Sequence, residues 1–458
     1  MTLPLVRKSR RVLGKIAGDG FYIPDLPYIC RELKGKNTLM RVLLVNTSER
    51  VGGAAIATHR LMRALNNNGV KAKMLVRDKQ TEHPCVINLP ASLRLRLKFV
   101  AERAEIYAAN RFSRENLWAI DTASHGTDIT NLPEFEEADL IHLNWINQGM
   151  LSLADIRKVL ASGKPVVWTL HDMWPCTGIC HHAEYCQSWL TGCGNCPKLV
   201  HPAAGDLSAR TYRRKAAAYA AGKVRFVACS DWLADIARRA PLLGGHTVDS
   251  IPNAIDTRFY EPGNKQAARQ QLGLPADKKL LLFVAYKATD VQKGINYLIE
   301  ATEIIARQHP EWRQQLGVIP VGREAGTLRD AFACEAYPQE YVTEPEKMRL
   351  LYQAADLLVM PTLMDNLPNT IVEGMSCGLP CVGFSVGGLP QMIREGVSGY
   401  LARYKDAQHL AELTLDTLVS SRYEQLCHSA HEAALANYSE QVVATRYIRL
   451  YEKALSRA

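Results

Sequence analysis

Short apolar runs and amphipathic segments alternate along the first half of the chain. Residues 40–46 (MRVLLVN) are mostly apolar and typical of a strand buried on both faces. Gly52-Gly53 follow, the segment that ends at Gly69 has apolar residues at helical spacing, and 71–76 predicts a second strand. This order is the βαβ unit of a doubly wound parallel sheet. The pattern predicts further strands at 138–145, 165–171 and 224–230.

The alternation is interrupted once and then resumes. Residues 261–279 are rich in proline, glycine and charge, which marks a linker. A chain of 458 residues is also too long for one ordinary core. The sequence therefore predicts an α/β protein with two βα domains and a cleft between them, ending in a helix at 438–457. The second domain has predicted strands at 279–286, 317–322, 355–362 and 380–384, and a helix at 293–307.

The stretch 365–378 (DNLPNTIVEGMSCG) joins two carboxylates to a short predicted helix. This stretch follows a predicted strand, so the order is strand, polar loop and short helix. In α/β proteins this order directs a helix N-terminus at an anionic ligand. Asp365 would lie in the loop and Glu373 about one turn into the helix. The alternative is a capped core helix with two surface acids.

Local residue types set the expected ends of this helix. Pro368 prevents it from extending backwards, and Asn369 or Thr370 is a suitable N-cap. Gly378 is placed to end the helix in a left-handed conformation.

Composition narrows the class of protein. Hydrophobic residues make up 47% of the chain and charged residues 22%, which is ordinary for a soluble globular protein. No apolar run approaches the roughly 20 residues that span a bilayer. The N-terminus lacks an uninterrupted apolar stretch and a cleavage site, so no signal peptide is predicted. We therefore expect a cytoplasmic protein.

The net charge of +9 is unevenly distributed. Residues 1–38 hold eight Lys and Arg against three acids, a net of +5, and are interpreted as a basic N-terminal extension. Such an extension could be a solvated tail, a nucleic-acid arm or a contact to an anionic membrane. No nucleic-acid partner is expected, because basic and aromatic residues are not interleaved and no nucleic-acid-binding motif is recognisable.

Residues 91–112 predict a helix with an apolar stripe that includes Leu97, Val100 and Tyr107, and with Arg103 on another face. Such a helix could lie on an anionic membrane, at the inner face of the cell membrane. The alternative is a surface helix that packs on its own domain.

Five of the twelve cysteines fall between residues 176 and 196, as an insertion in the first domain. Four of them have the spacing C-x5-C-x6-C-x2-C, and only the last pair has ordinary zinc-knuckle spacing. Four thiolates around zinc would form a closed structural site. The alternatives are reduced, partly buried thiols or a redox-labile disulfide pair. The candidate ligands are Cys180, Cys186, Cys193 and Cys196.

Cations lie at the first predicted strand end of the second domain. Lys287 and Lys293 flank a loop, and Gly294 opens the next helix. Two cations and two helix N-termini would complement a diphosphate, and Glu373 could hold two ribose hydroxyls. Such a nucleotide-sugar site requires no metal or other cofactor, because lysines and helix dipoles neutralise the leaving diphosphate.

Two features of the first domain complete the candidate site. His171 lies at the carboxyl end of a predicted strand, where open α/β sheets bind ligands. The alternative for His171 is a structural histidine bonded to Asp172. Gly52-Gly53 would let a backbone approach a ligand closely, although they could equally form a tight turn.

The ordered motifs VGGAA, WTLHD, IPNAID, KG and DNLPNTIVEGMSCGLPCV resemble those of the retaining glycosyltransferases of family 4, which have the GT-B fold. The resemblance covers residues 40–457. The segment HDMWPCTGIC, with the cysteines after it, resembles the narrower group of colanic-acid and exopolysaccharide transferases. The resemblance implies an acceptor domain at 39–260, a donor domain at 261–436 and a C-terminal helix at 437–458 that crosses back to the first domain.

The resemblance also implies a role for each matching residue. Glu373 would hold the ribose, Lys293 the phosphate, and Asp365 the hydroxyls of the donor sugar, with His171 near the reacting sugar. The catalytic candidates are therefore His171 and Asp365. The implied donor-binding residues are Gly52, Gly53, Asn253, Lys287, Lys293, Asn366, Leu367, Pro368, Asn369 and Glu373.

Two positions depart from the family pattern. Asp365 replaces a glutamate and is one methylene shorter, and Ala288 stands where an arginine is expected, with Lys287 one residue earlier. The expected activity is transfer of a hexose from a nucleotide-diphosphate sugar to a polyprenyl-linked saccharide, in synthesis of an exopolysaccharide. A catalytically impaired scaffold is the alternative that these departures favour.

Overall fold

A parallel seven-stranded sheet forms the centre of the first domain. The computed structural model describes residues 40–90 and 93–456. The predicted strand at 40–46 is confirmed as β1, and its residues after Arg41 are buried, as expected in a parallel sheet. The strand order is β3-β2-β1-β4-β5-β6-β7, and all pairs run parallel. The strands are β1 Arg41–Ser48, β2 Lys71–Asp78, β3 Val86–Asn88, β4 Leu140–Leu143, β5 Val166–Leu170, β6 Val224–Ala228 and β7 Thr247–Ser250.

A second parallel sheet, with six strands, forms the centre of the second domain. Its order is β10-β9-β8-β11-β12-β13, so the sheet also extends in both directions from its first strand. The predicted fold class of two doubly wound Rossmann-like domains is therefore confirmed. The strands are β8 Lys279–Lys287, β9 Leu316–Arg323, β10 Glu335–Ala336, β11 Leu357–Met360, β12 Cys381–Phe384 and β13 Gly399–Ala402.

Helices connect the strands of both sheets, and one helix lies in the stretch whose composition marks a linker. None of the helices in the described part of the chain is long and apolar enough to cross a bilayer. The helices are α1 Gly53–Asn67, α2 Leu93–Ala109, α3 Pro133–Glu137, α4 Leu153–Ala161, α5 Leu207–Tyr219, α6 Asp231–Arg239, α7 Lys265–Leu272, α8 Ile295–Gln308, α9 Trp312–Gln315, α10 Pro345–Ala354, α11 Asn369–Ser376, α12 Leu389–Met392, α13 Ala407–Val419, α14 Tyr423–Tyr438 and α15 Glu440–Leu455.

The start of α11 differs from the prediction, whereas its end agrees. Pro368 is the N-cap, and the helix begins at Asn369, so the prediction of Asn369 or Thr370 as the N-cap is wrong. The side chain of Asn369 contacts the first domain instead of its own helix. Gly378 follows the C-cap with φ +75°, and its N–H donates to the carbonyl of Met375. The predicted glycine stop is therefore confirmed.

The face of α2 that packs on the domain is not the predicted apolar stripe. Glu102, Arg103 and Ile106 are buried, whereas Leu97 and Val100 are exposed. Arg103 tolerates burial because its guanidinium lies 2.9 Å from Asp121 and also donates to two backbone carbonyls. The helix therefore packs on its own domain, as one of the two alternatives expects, but Leu97 and Val100 lie outside the packed face. The basic extension, residues 1–38, lies outside the described residues.

The C-terminal helix α15 packs on the first domain, as the resemblance implies. Buried Tyr451 and Tyr447 of this helix reach β4 and β5. The Tyr451 hydroxyl lies 2.7 Å from Nδ1 of His142, and Tyr447 lies 3.0 Å from the hydroxyl of Thr169. Nε2 of His142 lies 2.7 Å from the same threonine hydroxyl. The helix is thus anchored by a polar network inside the first domain.

Acid is expected to weaken this anchor. Burial lowers the pKa of His142 from 6.5 to about 3, so the folded protein keeps the ring neutral. Because the pKa of His142 is lower in the folded than in the unfolded protein, its contribution to stability is fully present above pH 6.5. This contribution is lost as the pH falls towards 3. The free energy of unfolding should therefore decrease by about 1.4 kcal/mol per pH unit from this group alone. Denaturant unfolding should be measured between pH 7 and pH 4 for the unchanged protein and for His142→Gln. The unfolding free energy of the variant should decrease less steeply with falling pH. Equal slopes would contradict the prediction.

Candidate active site

Glu373 lies in α11 one turn after its start, and only 7% of its surface is exposed. Its Oε1 accepts a hydrogen bond from Nη2 of Arg60 at 2.6 Å, and its Oε2 accepts one from the Tyr352 hydroxyl at 2.7 Å. Tyr352 belongs to α10 of the same domain, whereas Arg60 belongs to α1 of the first domain. Glu373, the residue that is predicted to bind the ribose, therefore contacts both domains.

Arg60 was not predicted from the sequence. The ring of Tyr260 lies beneath its guanidinium, with the centroid 5.4 Å away, and the Tyr260 hydroxyl lies 3.3 Å from Nη2. Burial opposes the positive charge, but the facing Glu373 carboxylate outweighs burial, so the pKa of Arg60 is raised. Arg60 and Glu373 are thus a charged pair that is largely shielded from water.

The two predicted lysines are each paired with an acid. Nζ of Lys293 lies 2.6 Å from Oδ2 of Asp365. Burial opposes the charge of Lys293, but Asp365 reverses that effect and raises the pKa of Lys293. Nζ of Lys287 lies 3.0 Å from Glu324, and both side chains are about half exposed. The structure therefore joins Lys293 to Asp365 and directs Lys287 to a different acid.

Gly294 fixes the turn that carries Lys293. It has φ +78°, and an added Cβ would lie 1.8 Å from the carbonyl oxygen of Pro361. Pro361 begins the loop that leads to Asp365. Because only glycine permits this approach, the lysine turn and the acidic loop are held together by backbone contact.

Asn369 joins the start of α11 to the first domain. Its Nδ2 donates to the carbonyl of Gly53 at 3.3 Å, and its Oδ1 accepts from Nδ2 of Asn253 at 3.2 Å. Gly52, with φ +89°, precedes this contact. The structure thus brings together four residues that the sequence places up to 317 positions apart.

The loop before α11 contacts the strand end that carries His171. Nδ2 of Asn366 donates to the His171 carbonyl at 3.1 Å, and the Ser230 hydroxyl donates to Oδ1 of Asn366. Leu367 is buried next to it, and Pro368 leads into the helix. Asn366 and Asn369 therefore contact the first domain, and Leu367 and Pro368 connect them within the same loop.

His171 is held by neutral partners. Its Nε2 lies 3.3 Å from Oδ1 of Asn144, and its Nδ1 lies 3.6 Å from Sγ of Cys229. Burial lowers the pKa of His171 to about 4 against the opposing charge of Asp172, so the ring is neutral at pH 7. Oδ2 of Asp172 lies 2.8 Å from Nδ1 of His181. The alternative in which His171 bonds to Asp172 is therefore wrong.

The four candidate zinc ligands surround one small cavity. Cys180, Cys186, Cys193 and Cys196 line a space of about 10 Å³, together with Trp189 and other residues. All four are free thiols, and the backbone N–H of Gly178 donates to Sγ of Cys193 at 3.2 Å. Within residues 40–90 and 93–456, no three His, Cys, Asp or Glu side chains are arranged to hold a metal ion. Zinc binding would require the thiols to turn towards the cavity, and it stays a prediction.

Metal analysis of the purified protein tests this prediction. If the four thiolates hold zinc, the protein should contain close to one equivalent per chain, and Cys193→Ser should lose most of it, because tetrahedral structural zinc needs all four ligands. Cys176→Ser is the matched control, since Cys176 is buried in the same segment but does not line the cavity. Less than about a tenth of an equivalent in the unchanged protein would exclude the site.

Two Rossmann-like sheets with the candidate residues between them define the GT-B fold, and solved structures share it. Sucrose-phosphate synthase from Thermosynechococcus elongatus aligns with a TM-score of 0.63 at 19% identity, over 92% of this chain and 100% of that one. Anabaena HepE in complex with UDP-glucose aligns with a TM-score of 0.59 at 16% identity, over 90% and 100%. At such identities the likeness establishes the fold.

Sequence comparison identifies both domains. Residues 51–259 match the family described as Glycosyltransferase Family 4, and residues 278–420 match Glycosyl transferases group 1. Both domains therefore match families of glycosyltransferases. A D-inositol 3-phosphate glycosyltransferase of Thermobispora bispora is 33% identical over 229 residues, which are 46% of this chain and 51% of the relative. The chain thus spans about half the length of the curated relative that it matches.

Proposed function

We propose that this protein is a retaining glycosyltransferase that uses a nucleotide-diphosphate sugar. The hexose is transferred to a polyprenyl-linked saccharide at the inner membrane face, in synthesis of an exopolysaccharide. The first domain binds the acceptor and the second domain binds the donor. The exopolysaccharide assignment rests on the segment after His171, which resembles the colanic-acid transferases.

One observation carries the proposal: two acid–base pairs meet at the start of α11, directly opposite the Gly53 turn. Lys293 with Asp365 lies on one side and Arg60 with Glu373 on the other. Ribose hydroxyls suit Glu373, sugar hydroxyls suit Asp365, and the cations suit a diphosphate. The family matches of both domains and the UDP-glucose complex of HepE support the same reading.

The mechanism that fits these residues is transfer on the front face of the donor sugar. The acceptor hydroxyl oxygen bonds to the anomeric carbon while the bond from that carbon to the diphosphate oxygen breaks. The acceptor proton passes to the departing diphosphate, whose charge the cations stabilise. A hydrogen bond from neutral His171 to the sugar would replace its present contact with Asn144 or Cys229. Contact between the domains excludes water that would hydrolyse the donor.

A thermal-shift panel of nucleotide sugars tests the donor assignment. A true donor at roughly 100 times its dissociation constant stabilises the folded protein by about 2.7 kcal/mol. We expect one base and a small set of hexoses to produce the shift, followed by slow donor hydrolysis without acceptor. A panel with no stabilising nucleotide sugar would refute the proposal.

The second candidate is a scaffold that binds a nucleotide sugar but does not react. Asp365 in place of a glutamate and Ala288 in place of an arginine favour it. Donor hydrolysis separates the two candidates, because a scaffold would bind the nucleotide sugar and leave it intact.

Membrane association is the finer part of the proposal. Leu97 and Val100 of α2 are exposed, and so are the nearby Phe112 and Trp118, at 70% and 62%. Exposed apolar side chains on a chain of net charge +9 suit insertion into an anionic lipid surface.

Co-sedimentation with lipid vesicles measures this association. Phe112→Ser with Trp118→Ser should weaken binding to vesicles that contain anionic lipid by roughly tenfold, since each aromatic side chain contributes apolar area. Val419→Ser on the second domain is the control, because Val419 is equally exposed but distant in the chain. Binding that is unchanged by the double substitution would contradict the membrane assignment of this patch.

A further inference from the structure

Each cation at the candidate site is already paired with an acid. Arg60 lies 2.6 Å from Glu373, Lys293 lies 2.6 Å from Asp365, and Lys287 lies 3.0 Å from Glu324. A nucleotide-diphosphate sugar brings further negative charge to this site. A diphosphate that binds to any of these cations therefore competes with the acid that the cation already contacts.

The ribose of the same ligand can take the place of one of these cations at its acid. Under the proposed function, ribose hydroxyls bind the Glu373 carboxylate. That carboxylate is largely shielded, with one oxygen bonded to Arg60 and the other to Tyr352. Tyr352 belongs to the same domain as Glu373 and moves with it, whereas Arg60 belongs to the other domain. Arg60 is thus the partner that the ribose can replace.

Arg60 is also close to where the diphosphate would lie. Helices α1 and α11 meet at two levels, first at Gly53 with Asn369 and then at Arg60 with Glu373. Asn369 and Glu373 are four residues apart, which is about 6 Å along the helix. The guanidinium therefore lies about one turn from the free N–H groups at the start of α11, which is within the reach of an arginine side chain.

We propose that Arg60 is a diphosphate-binding residue that exchanges partners when the donor binds. The ribose takes the Glu373 carboxylate, and the guanidinium turns to the diphosphate. This inference rests on the proposed function. After the exchange the guanidinium faces the diphosphate, and the Glu373 carboxylate accepts hydrogen bonds from the ribose and from Tyr352, so neither charged group is left without a partner.

The chemistry of the side chain suits this role. A guanidinium remains charged throughout and binds phosphate oxygens through two parallel N–H groups. The resemblance leads one to expect an arginine at position 288, where this chain has alanine. Arg60 would supply the missing planar donor from the opposite domain, and diphosphate binding would then draw the two domains together.

Binding of a nucleoside diphosphate and of its nucleoside to three variants tests the proposal. The base is the one that the unchanged protein prefers. Arg60→Met should weaken diphosphate binding about 30-fold, the scale of one lost charge-assisted hydrogen-bonded contact. Nucleoside binding should be unchanged or tighter, because the ribose no longer has to displace Arg60 from Glu373. Arg60→Lys should recover part of the lost diphosphate affinity, since lysine keeps the positive charge but lacks the two parallel N–H groups of the guanidinium. Arg63→Met is the matched control, because Arg63 lies on the same helix, is 45% exposed in its side chain and pairs with Asp256.

The other outcomes are equally informative. An equal loss for nucleoside and diphosphate would mean that Arg60 only positions Glu373, and tighter diphosphate binding would mean that it only blocks the site; either overturns the proposal. Nucleoside binding that is unchanged or tighter also shows that Arg60→Met is folded. If the unchanged protein binds no nucleotide at all, the proposed function fails and this inference with it. Diphosphate binding that is indifferent to Arg60→Met overturns the inference alone.

Discussion

Glu373→Gln is expected to abolish the preference of the protein for a ribonucleoside diphosphate over its 2′,3′-dideoxy analogue. In the unchanged protein the buried carboxylate would accept hydrogen bonds from both ribose hydroxyls. Hydrogen bonds to a charged group contribute about 1.5–3 kcal/mol, so the preference should be about 10- to 100-fold. Glutamine carries no charge and presents only one acceptor oxygen. Calorimetric titration of both nucleotides into both proteins measures the preference directly.

The substitution also leaves Arg60 without its acid, so stability must be separated from binding. Breaking a shielded ion pair from one side costs about 3–5 kcal/mol. The double variant Glu373→Gln with Arg60→Met should recover most of the stability and still lack the ribose preference. A Glu373→Gln protein that keeps the preference would show that the ribose binds elsewhere.

Asp365→Asn is expected to lower the rate of sugar transfer by about 100- to 1000-fold, the scale of removing one preorganised electrostatic contact, about 2.7–4 kcal/mol. The carboxylate lies 2.6 Å from Lys293 and accepts a hydrogen bond from the N–H of Asn366 at 3.0 Å. It therefore both orients the lysine and presents an oxygen towards the sugar site. Since asparagine frees Lys293 for the phosphates, nucleoside diphosphate binding should be retained. Single-turnover transfer and nucleotide titration measure the two effects separately.

Asp365→Glu is the matched control for this prediction. It keeps the charge and adds the methylene that the family pattern has at this position. Its transfer rate should remain within about tenfold of the unchanged protein, because the contact to Lys293 survives. If Asp365→Asn transferred sugar at the rate of Asp365→Glu, the acid would have no part in the reaction.

The periodic pattern of the chain predicts most of the fold. The apolar runs at 40–46, 165–171 and 224–230 are strands, because buried parallel strands are apolar on both faces and leave an unambiguous signal. The acids Asp365 and Glu373 could also be predicted, since their spacing and the proline between them place them in a loop and one turn into a helix.

Arg60 could not be predicted from its neighbours. It lies among polar and apolar residues of an ordinary amphipathic helix, and its partner Glu373 is 313 residues away. One signal was available: Arg60 is seven residues after Gly53, so both lie on the same face of α1. That spacing places a cation on the side of α1 that carries Gly53, but it does not indicate that the cation pairs with Glu373.

The buried face of helix α2 differs from its hydropathy pattern for a related reason. Hydropathy predicts that Leu97 and Val100 face inwards and Arg103 outwards, yet the structure has the opposite arrangement. Arg103 is buried with its guanidinium bonded to Asp121 and to two backbone carbonyls, which lie beyond the helix, 14 to 18 residues further along the chain. A hydropathy pattern considers only the cost of moving each side chain out of water. It therefore misses a buried charged side chain whose hydrogen-bond partners come close only when the chain folds.

The sequence by itself determined two Rossmann-like domains, the loop and helix that carry Asp365 and Glu373, and the glycine turns opposite them. These features depend on spacing and residue type within a few turns of chain. Only the tertiary structure decided which cation meets which acid: Lys293 with Asp365, Lys287 with Glu324, and Arg60 with Glu373 across the two domains. Ion pairing depends on distances of a few ångströms between segments that are tens to hundreds of residues apart, and no local pattern encodes those distances.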